Sequence, residues 1–131
     1  DEFLRYVDTL DNEHIIACLD VGHVGPPRPD GKESWDFIRA LGHDRLKSLH
    51  IHDNDYKSDA HQLPYMGRID WNKVTEALGE IDYDGDFTYE VGTYPRLNRV
   101  GAEFAQEELN YMGKVGKHLV NMIEKNRRKV N

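Results

Sequence analysis

Apolar residues recur along this chain at two different periods, and the two periods alternate. Phe3, Leu4, Val7 and Leu10 fall at helical spacing, with Asp11-Asn12 as a stop. His14 to Asp20 reads as a buried strand, with Ile15, Ala17 and Leu19 on one side and Ile16, Cys18 and Asp20 on the other. A second helix follows, capped by Ser34, striped by Trp35, Phe37, Ile38 and Leu41, and stopped by Gly42. Leu46 to His52 is a second strand. Asp70 caps a third helix carrying Trp71, Val74, Leu78 and Ile81, and Asp84-Gly85 turns the chain into a third strand, Asp86 to Val91. The spacing then predicts a long helix from about Arg99 to Lys125, with Ala105, Leu109, Met112, Leu119 and Ile123 on one face and weak points at Gly113 and Gly116.

Helices that alternate with strands imply parallel pairing through right-handed crossovers, an α/β fold. In each strand one face is apolar, as packing under a helix requires. The opposite face ends in Asp20, His50 and Glu90, which lie 30 and 40 residues apart, compatible with successive strand and helix units. Parallel pairing would bring the three to one edge and one face of the sheet, where open α/β sheets and barrels place their sites. Paired histidines such as His50 and His52 are often no more than a solvated face. Three strands that all end in metal-ligand residue types are much harder to explain that way.

Composition narrows the function classes. The chain has 131 residues, enough for one ordinary domain, and its 17 basic and 24 acidic residues give a net charge of −7. That balance disfavours nonspecific attraction to a phosphate backbone and makes nucleic acid an improbable partner. No apolar run approaches the length of a membrane span, and one cysteine, Cys18, cannot form an internal disulfide. A reducing, cytoplasmic location is expected. Cys18 is expected to pack in the core, since nothing near it in sequence would lower its pKa. Two loops stand out: the Pro- and Gly-rich residues 24–31 and the long stretch from Asp53 to Ile69, which carries Asp59 and His61. Arg28 and Lys32 read as a solvated loop rather than a phosphate grip. His14, His43 and His118 fall outside the pattern and read as surface residues.

Several motifs occur in a fixed order: Cys18-Leu19-Asp20-Val21-Gly22-His23, Leu49-His50-Ile51-His52-Asp53-Asn54-Asp55, Asp59-Ala60-His61-Gln62-Leu63-Pro64, Gly67-Arg68-Ile69-Asp70-Trp71 and Tyr89-Glu90. Together they resemble the second half of the xylose isomerase-like barrel superfamily, which includes sugar phosphate isomerases and epimerases and the class II apurinic endonucleases. The resemblance implies a (β/α)8 barrel. Eight such units need about 250 residues, so the chain, with about three parallel strands and flanking helices, corresponds to the C-terminal part, residues 1–131 forming a single partial domain. Unpaired strand edges would favour self-association or pairing with a complementing N-terminal half.

By resemblance Asp20, His50 and Glu90 are three of four ligands to a divalent metal, the fourth being a glutamate expected on a strand before Asp1. His23 is implied to contact substrate. His52 is expected to contact substrate or to support a ligand, and Asp59 and His61 to shape the pocket or, as in the endonuclease branch, to bind an additional metal. Carboxylates with one imidazole suit Mn²⁺, Mg²⁺, Co²⁺ or Zn²⁺ without choosing among them. The implied activity is isomerisation or epimerisation of a sugar or sugar phosphate by proton transfer through an enediolate, with Glu90 as one acid/base group. Two alternatives are a metal-dependent phosphodiesterase resembling the endonuclease branch and an inactive barrel fragment. The acidic charge leans towards the sugar branch.

Overall fold

Two residue periods give this chain two kinds of element, and the computed structural model shows how they stack. It describes residues 2–10, 12, 14–25, 30–92 and 101–130. The order is α1 (Glu2–Leu10), β1 (Ala17–Asp20), α2 (Ser34–Arg45), β2 (Leu46–Ile51), α3 (Trp71–Glu80), β3 (Asp86–Tyr89) and α4 (Ala102–Val130). The strands form one parallel sheet in the order β1-β2-β3. Among the described residues no helix is long and apolar enough to cross a membrane.

Alternation along β2 sends Leu49 and Ile51 into the core, where neither is exposed, and leaves Ser48 and His50 half-buried on the other face. Ile38 and Leu41 of α2, Trp71, Val74 and Leu78 of α3, and Val115, Leu119 and Ile123 of α4 close the same core. Gly79 lets α3 and α4 touch: a Cβ there would lie 2.6 Å from Asn126 Cβ. Tyr89 ties β3 to α4 by donating its hydroxyl to the Met112 carbonyl, 3.2 Å away.

The register decides what meets at the sheet's C-terminal edge. Asp20 pairs with His50, His50 with Thr88, and Ile51 with Tyr89. Beyond the strands proper, Val21 N–H donates to the His50 carbonyl (3.0 Å) and Glu90 N–H to the Ile51 carbonyl (3.1 Å). Asp20, His50 and Glu90 therefore end three adjacent, hydrogen-bonded segments.

Several expectations need correction. β1 starts at Ala17, not His14, and Ile15 and Ile16 are 41% and 45% exposed rather than buried. Among the described residues no strand pairs with the outer edge of β1. Cys18 is exposed as well; it lines a 390 Å³ cavity with Phe3, Leu4, Phe37, Leu41 and Asp20. The second helix is capped at Glu33, whose N–H donates to Asp36 (3.0 Å), and Ser34 lies inside it. Gly42, at φ 70°, breaks that helix as expected of a stop, yet a further turn follows to Arg45. On α4, Leu109 is 51% exposed and Val115 takes the place in the core. Arg28 and Arg99 lie outside the described residues; Lys32 is exposed, its Nζ 5.8 Å from the Phe37 ring centroid.

At α3 the expected cap is present: the Asp70 carboxylate accepts from Asn72 N–H (3.1 Å) and Lys73 N–H (3.3 Å). Asp70→Ala leaves both donors without that partner and is expected to lower stability by about 1 kcal/mol. Urea unfolding followed by tryptophan fluorescence measures it; an unchanged midpoint would show that the cap contributes nothing.

Candidate metal centre

Asp20, His50 and Glu90 stand at or beside the ends of their strands, and a short turn brings His23 to the first of them. His23 N–H donates to Asp20 Oδ1 (3.1 Å), so the chain doubles back just after β1 and lays the His23 ring against the carboxylate that ends the strand. Nδ1 of His23 is 2.7 Å from Asp20 Oδ2 and its Nε2 is 2.9 Å from Asp59 Oδ1. Both nitrogens face carboxylates, which can only accept. The hydrogen bond to Asp59, helped by Asp20 and opposed by partial burial, raises the His23 pKa above its ordinary value, and Asp59 is lowered in return, mainly by the bond from His23.

Asp20 is the centre of the cluster. Oδ1 also accepts from His52 Nε2 at 2.9 Å, and Oδ2 lies 3.9 Å from His50 Nδ1. Burial pushes the Asp20 carboxyl up, but hydrogen bonds from His52 and His23 outweigh it and hold the group well below the ordinary carboxylate range. Glu90 completes the set, with Oε2 3.0 Å from His50 Nδ1.

The long loop folds over this edge. Asp53 and Gln62 pair their main chains (2.6 and 3.0 Å), which returns the loop to the strand end, and Asp59 Oδ1 bridges His23 and His61, 2.9 Å from each Nε2. His61 stacks on His52 at a centroid distance of 4.0 Å and an interplanar angle of 9°. The donor atoms of Asp20, His52 and Glu90 lie within 4.8 Å of one another, as do those of His23, His52 and His61.

All the site residues singled out in the sequence, Asp20, His23, His50, His52, Asp59, His61 and Glu90, are thus brought to one cluster. The His52 side chain has no exposed surface and its Nε2 lies 2.9 Å from Asp20 Oδ1, behind the carboxylate. Its ring fills the space above Gly22, where any side chain would collide with it. Gly22 is a requirement of the site that its motif, with glycine between Asp20 and His23, already hinted at.

Asp53 was missed as a structural centre. Wholly buried, it accepts from Asn54 N–H (2.8 Å) and Ile69 N–H (3.1 Å) through Oδ1, and from Tyr65 N–H (2.9 Å) and the Trp71 indole (2.8 Å) through Oδ2. The only signal in the sequence was an acid at the first residue of a long loop.

The donor set fits a divalent cation. Two carboxylates and one or two imidazoles are hard and borderline ligands. Glu90 Oε2 is in addition buried, and His50 Nδ1 faces it at 3.0 Å without the alignment of a hydrogen bond, so that a cation could be held by both atoms.

A protein-family model described as "Xylose isomerase-like TIM barrel" matches residues 1–115. An uncharacterised protein of Sinorhizobium fredii is 34% identical over 88 residues, 67% of this chain and 27% of that protein. An uncharacterised protein of Methanocaldococcus jannaschii is 27% identical over 92 residues, 69% of this chain and 30% of that protein. A D-psicose 3-epimerase of Enterocloster bolteae is 28% identical over 85 residues, 65% and 25% respectively. The chain therefore spans between a quarter and a third of the length of these relatives. No solved structure matches it.

Proposed function

The chain belongs to the xylose isomerase-like TIM barrel family, and on that premise we propose that the complete protein is a metal-dependent sugar isomerase or epimerase. The observation that carries the proposal is the convergence of Asp20, His50 and Glu90 on one strand edge, with His50 Nδ1 3.0 Å from the buried Oε2 of Glu90 and 3.9 Å from Asp20 Oδ2. The resemblance to a D-psicose 3-epimerase supports the sugar branch. So does the net charge of −7, which suits a small neutral substrate better than a polyanion.

In this proposal Asp20, His50 and Glu90 hold the cation. Bound there, the cation would polarise a substrate carbonyl and its neighbouring hydroxyl and so acidify the intervening C–H. Glu90 is one of two acid/base groups: its carboxylate removes the proton from one face of a carbon and, in isomerisation, returns it to the neighbouring carbon, whereas in epimerisation a second acid/base group on the opposite face returns it to the same carbon. His23, half-exposed at the mouth of the cluster, orients a substrate oxygen by exchanging its exposed partner Asp59 for substrate at Nε2 while Nδ1 stays on Asp20. His52 holds Asp20 in place from behind. The cytoplasm suits such an enzyme.

The test is a solvent-exchange assay on the complete protein. With D-psicose in deuterated buffer, the Mn²⁺-loaded protein is expected to convert the sugar and introduce deuterium at the carbon that changes. Chelation should abolish both, and added Mn²⁺ restore both. Conversion untouched by thorough metal removal would overturn the mechanism. One observation favours a second reading, the endonuclease-like phosphodiesterase: His23, Asp59 and His61 meet within hydrogen-bond reach. DNA containing an apurinic site, assayed alongside, separates the two. A complete protein inert towards both would leave the inactive barrel.

A further inference from the structure

The β3 ladder ends at Tyr89, one residue before the group on which the proposed chemistry depends. Glu90 keeps one hydrogen bond to the neighbouring strand, from its N–H to the Ile51 carbonyl (3.1 Å), and its own carbonyl and the chain beyond it are held from elsewhere. That role falls to His61. Its Nδ1 lies 2.8 Å from the Glu90 carbonyl, and its own carbonyl accepts from Gly92 N–H at 3.0 Å. A carbonyl can only accept, so Nδ1 carries the proton. One residue thus holds the chain at two points, Glu90 by its side chain and Gly92 by its main chain.

His61 is itself firmly placed. Its ring is sandwiched against the buried His52, and its backbone sits at φ 42°, a conformation uncommon for a residue with a side chain and kept only where the surroundings impose it. The paired main chains of Asp53 and Gln62 supply that constraint.

We propose that His61 is a positioning residue for Glu90, acting through Nδ1 on the Glu90 carbonyl rather than on substrate. The inference rests on the proposed function for its consequence in turnover, and on geometry alone for its structural content.

Two substitutions in the complete protein separate the ring nitrogens, because an Asn amide occupies the place of Nδ1 and a Gln amide the place of Nε2. His61→Gln should lower kcat by roughly 10²-fold, the usual cost of a misplaced reacting group, with KM little changed. His61→Asn, which keeps a donor at the place of Nδ1 but loses the Nε2 contact with Asp59, should lose markedly less kcat than His61→Gln. Hydrogen exchange gives a readout independent of turnover: Gly92 N–H should exchange on the order of tenfold faster in His61→Gln, reflecting local opening, and at the wild-type rate in His61→Asn. Equal losses in the two variants, a larger loss in His61→Asn, or unaltered Gly92 exchange in His61→Gln would overturn the proposal. Should the wild type convert no sugar, the proposed function falls while the exchange measurement still decides the role of His61.

Discussion

Glu90→Gln in the complete protein is expected to reduce epimerisation by roughly 10²–10⁴-fold, the range for loss of a positioned acid/base group. The substitution keeps the size and shape of the side chain and removes its charge and basicity. Two consequences follow from where Glu90 stands. A neutral amide cannot take the proton, so kcat falls. It also places either an N–H or a weaker acceptor where Oε2 now lies, buried and 3.0 Å from His50 Nδ1, so the affinity for a divalent cation falls too. Steady-state kinetics at saturating Mn²⁺, with Mn²⁺ binding followed by electron paramagnetic resonance, separates these effects. Activity retained at saturating metal would show that Glu90 only binds the cation, and activity retained at all metal concentrations would remove it from the mechanism.

Asp53→Ala is expected to be the most destabilising single change in the site loop, by roughly 3–5 kcal/mol, the cost typical of breaking a buried charged network. The carboxylate is fully buried and takes four N–H groups, three from the main chain of the loop and one from Trp71 at the start of α3. Truncation leaves these donors without an acceptor in a region that excludes water. It also frees the segment that carries Asp59 and His61, so His61 would no longer hold the chain around Glu90. Gly67 belongs to the same arrangement, because a side chain there would strike the Asp53 carboxylate. Thermal and urea unfolding of the variant measure the loss, and the Trp71 emission reports the local change. A loss below about 1 kcal/mol, the scale of a single exposed hydrogen bond, would show that the loop does not depend on Asp53. Asp53→Asn should lie between the two, since the amide oxygen can serve two donors while its nitrogen opposes the others.

Much of this molecule follows from backbone periodicity alone. Successive side chains of a strand point to opposite faces whatever the surroundings, so alternation in Leu46 to His52 was enough to set Leu49 and Ile51 apart from His50. The same rule placed Asp20 and Glu90 on the polar face of their strands, and spacings of three and four marked Trp71, Val74 and Leu78 as the buried stripe of α3. Capping by Asp70 was legible because it is a local event, complete within four residues. What local chemistry cannot express was decided by tertiary structure. The pairing of Asp20 with His50 is a register, set by how two distant segments pack. The exposure of Ile15, Ile16 and Cys18 depends on what packs beside them, and the exchange of Leu109 for Val115 in the core depends on how far α4 runs past α3. The burial of His52 against Asp20, 32 residues away, likewise follows from how distant segments pack. The grip of His61 on Glu90 spans 29 residues, and the four donors of Asp53 extend as far as Trp71. Such contacts arise from the path of a long loop, whose shape is the sum of many weak constraints, and no period in the sequence encodes it.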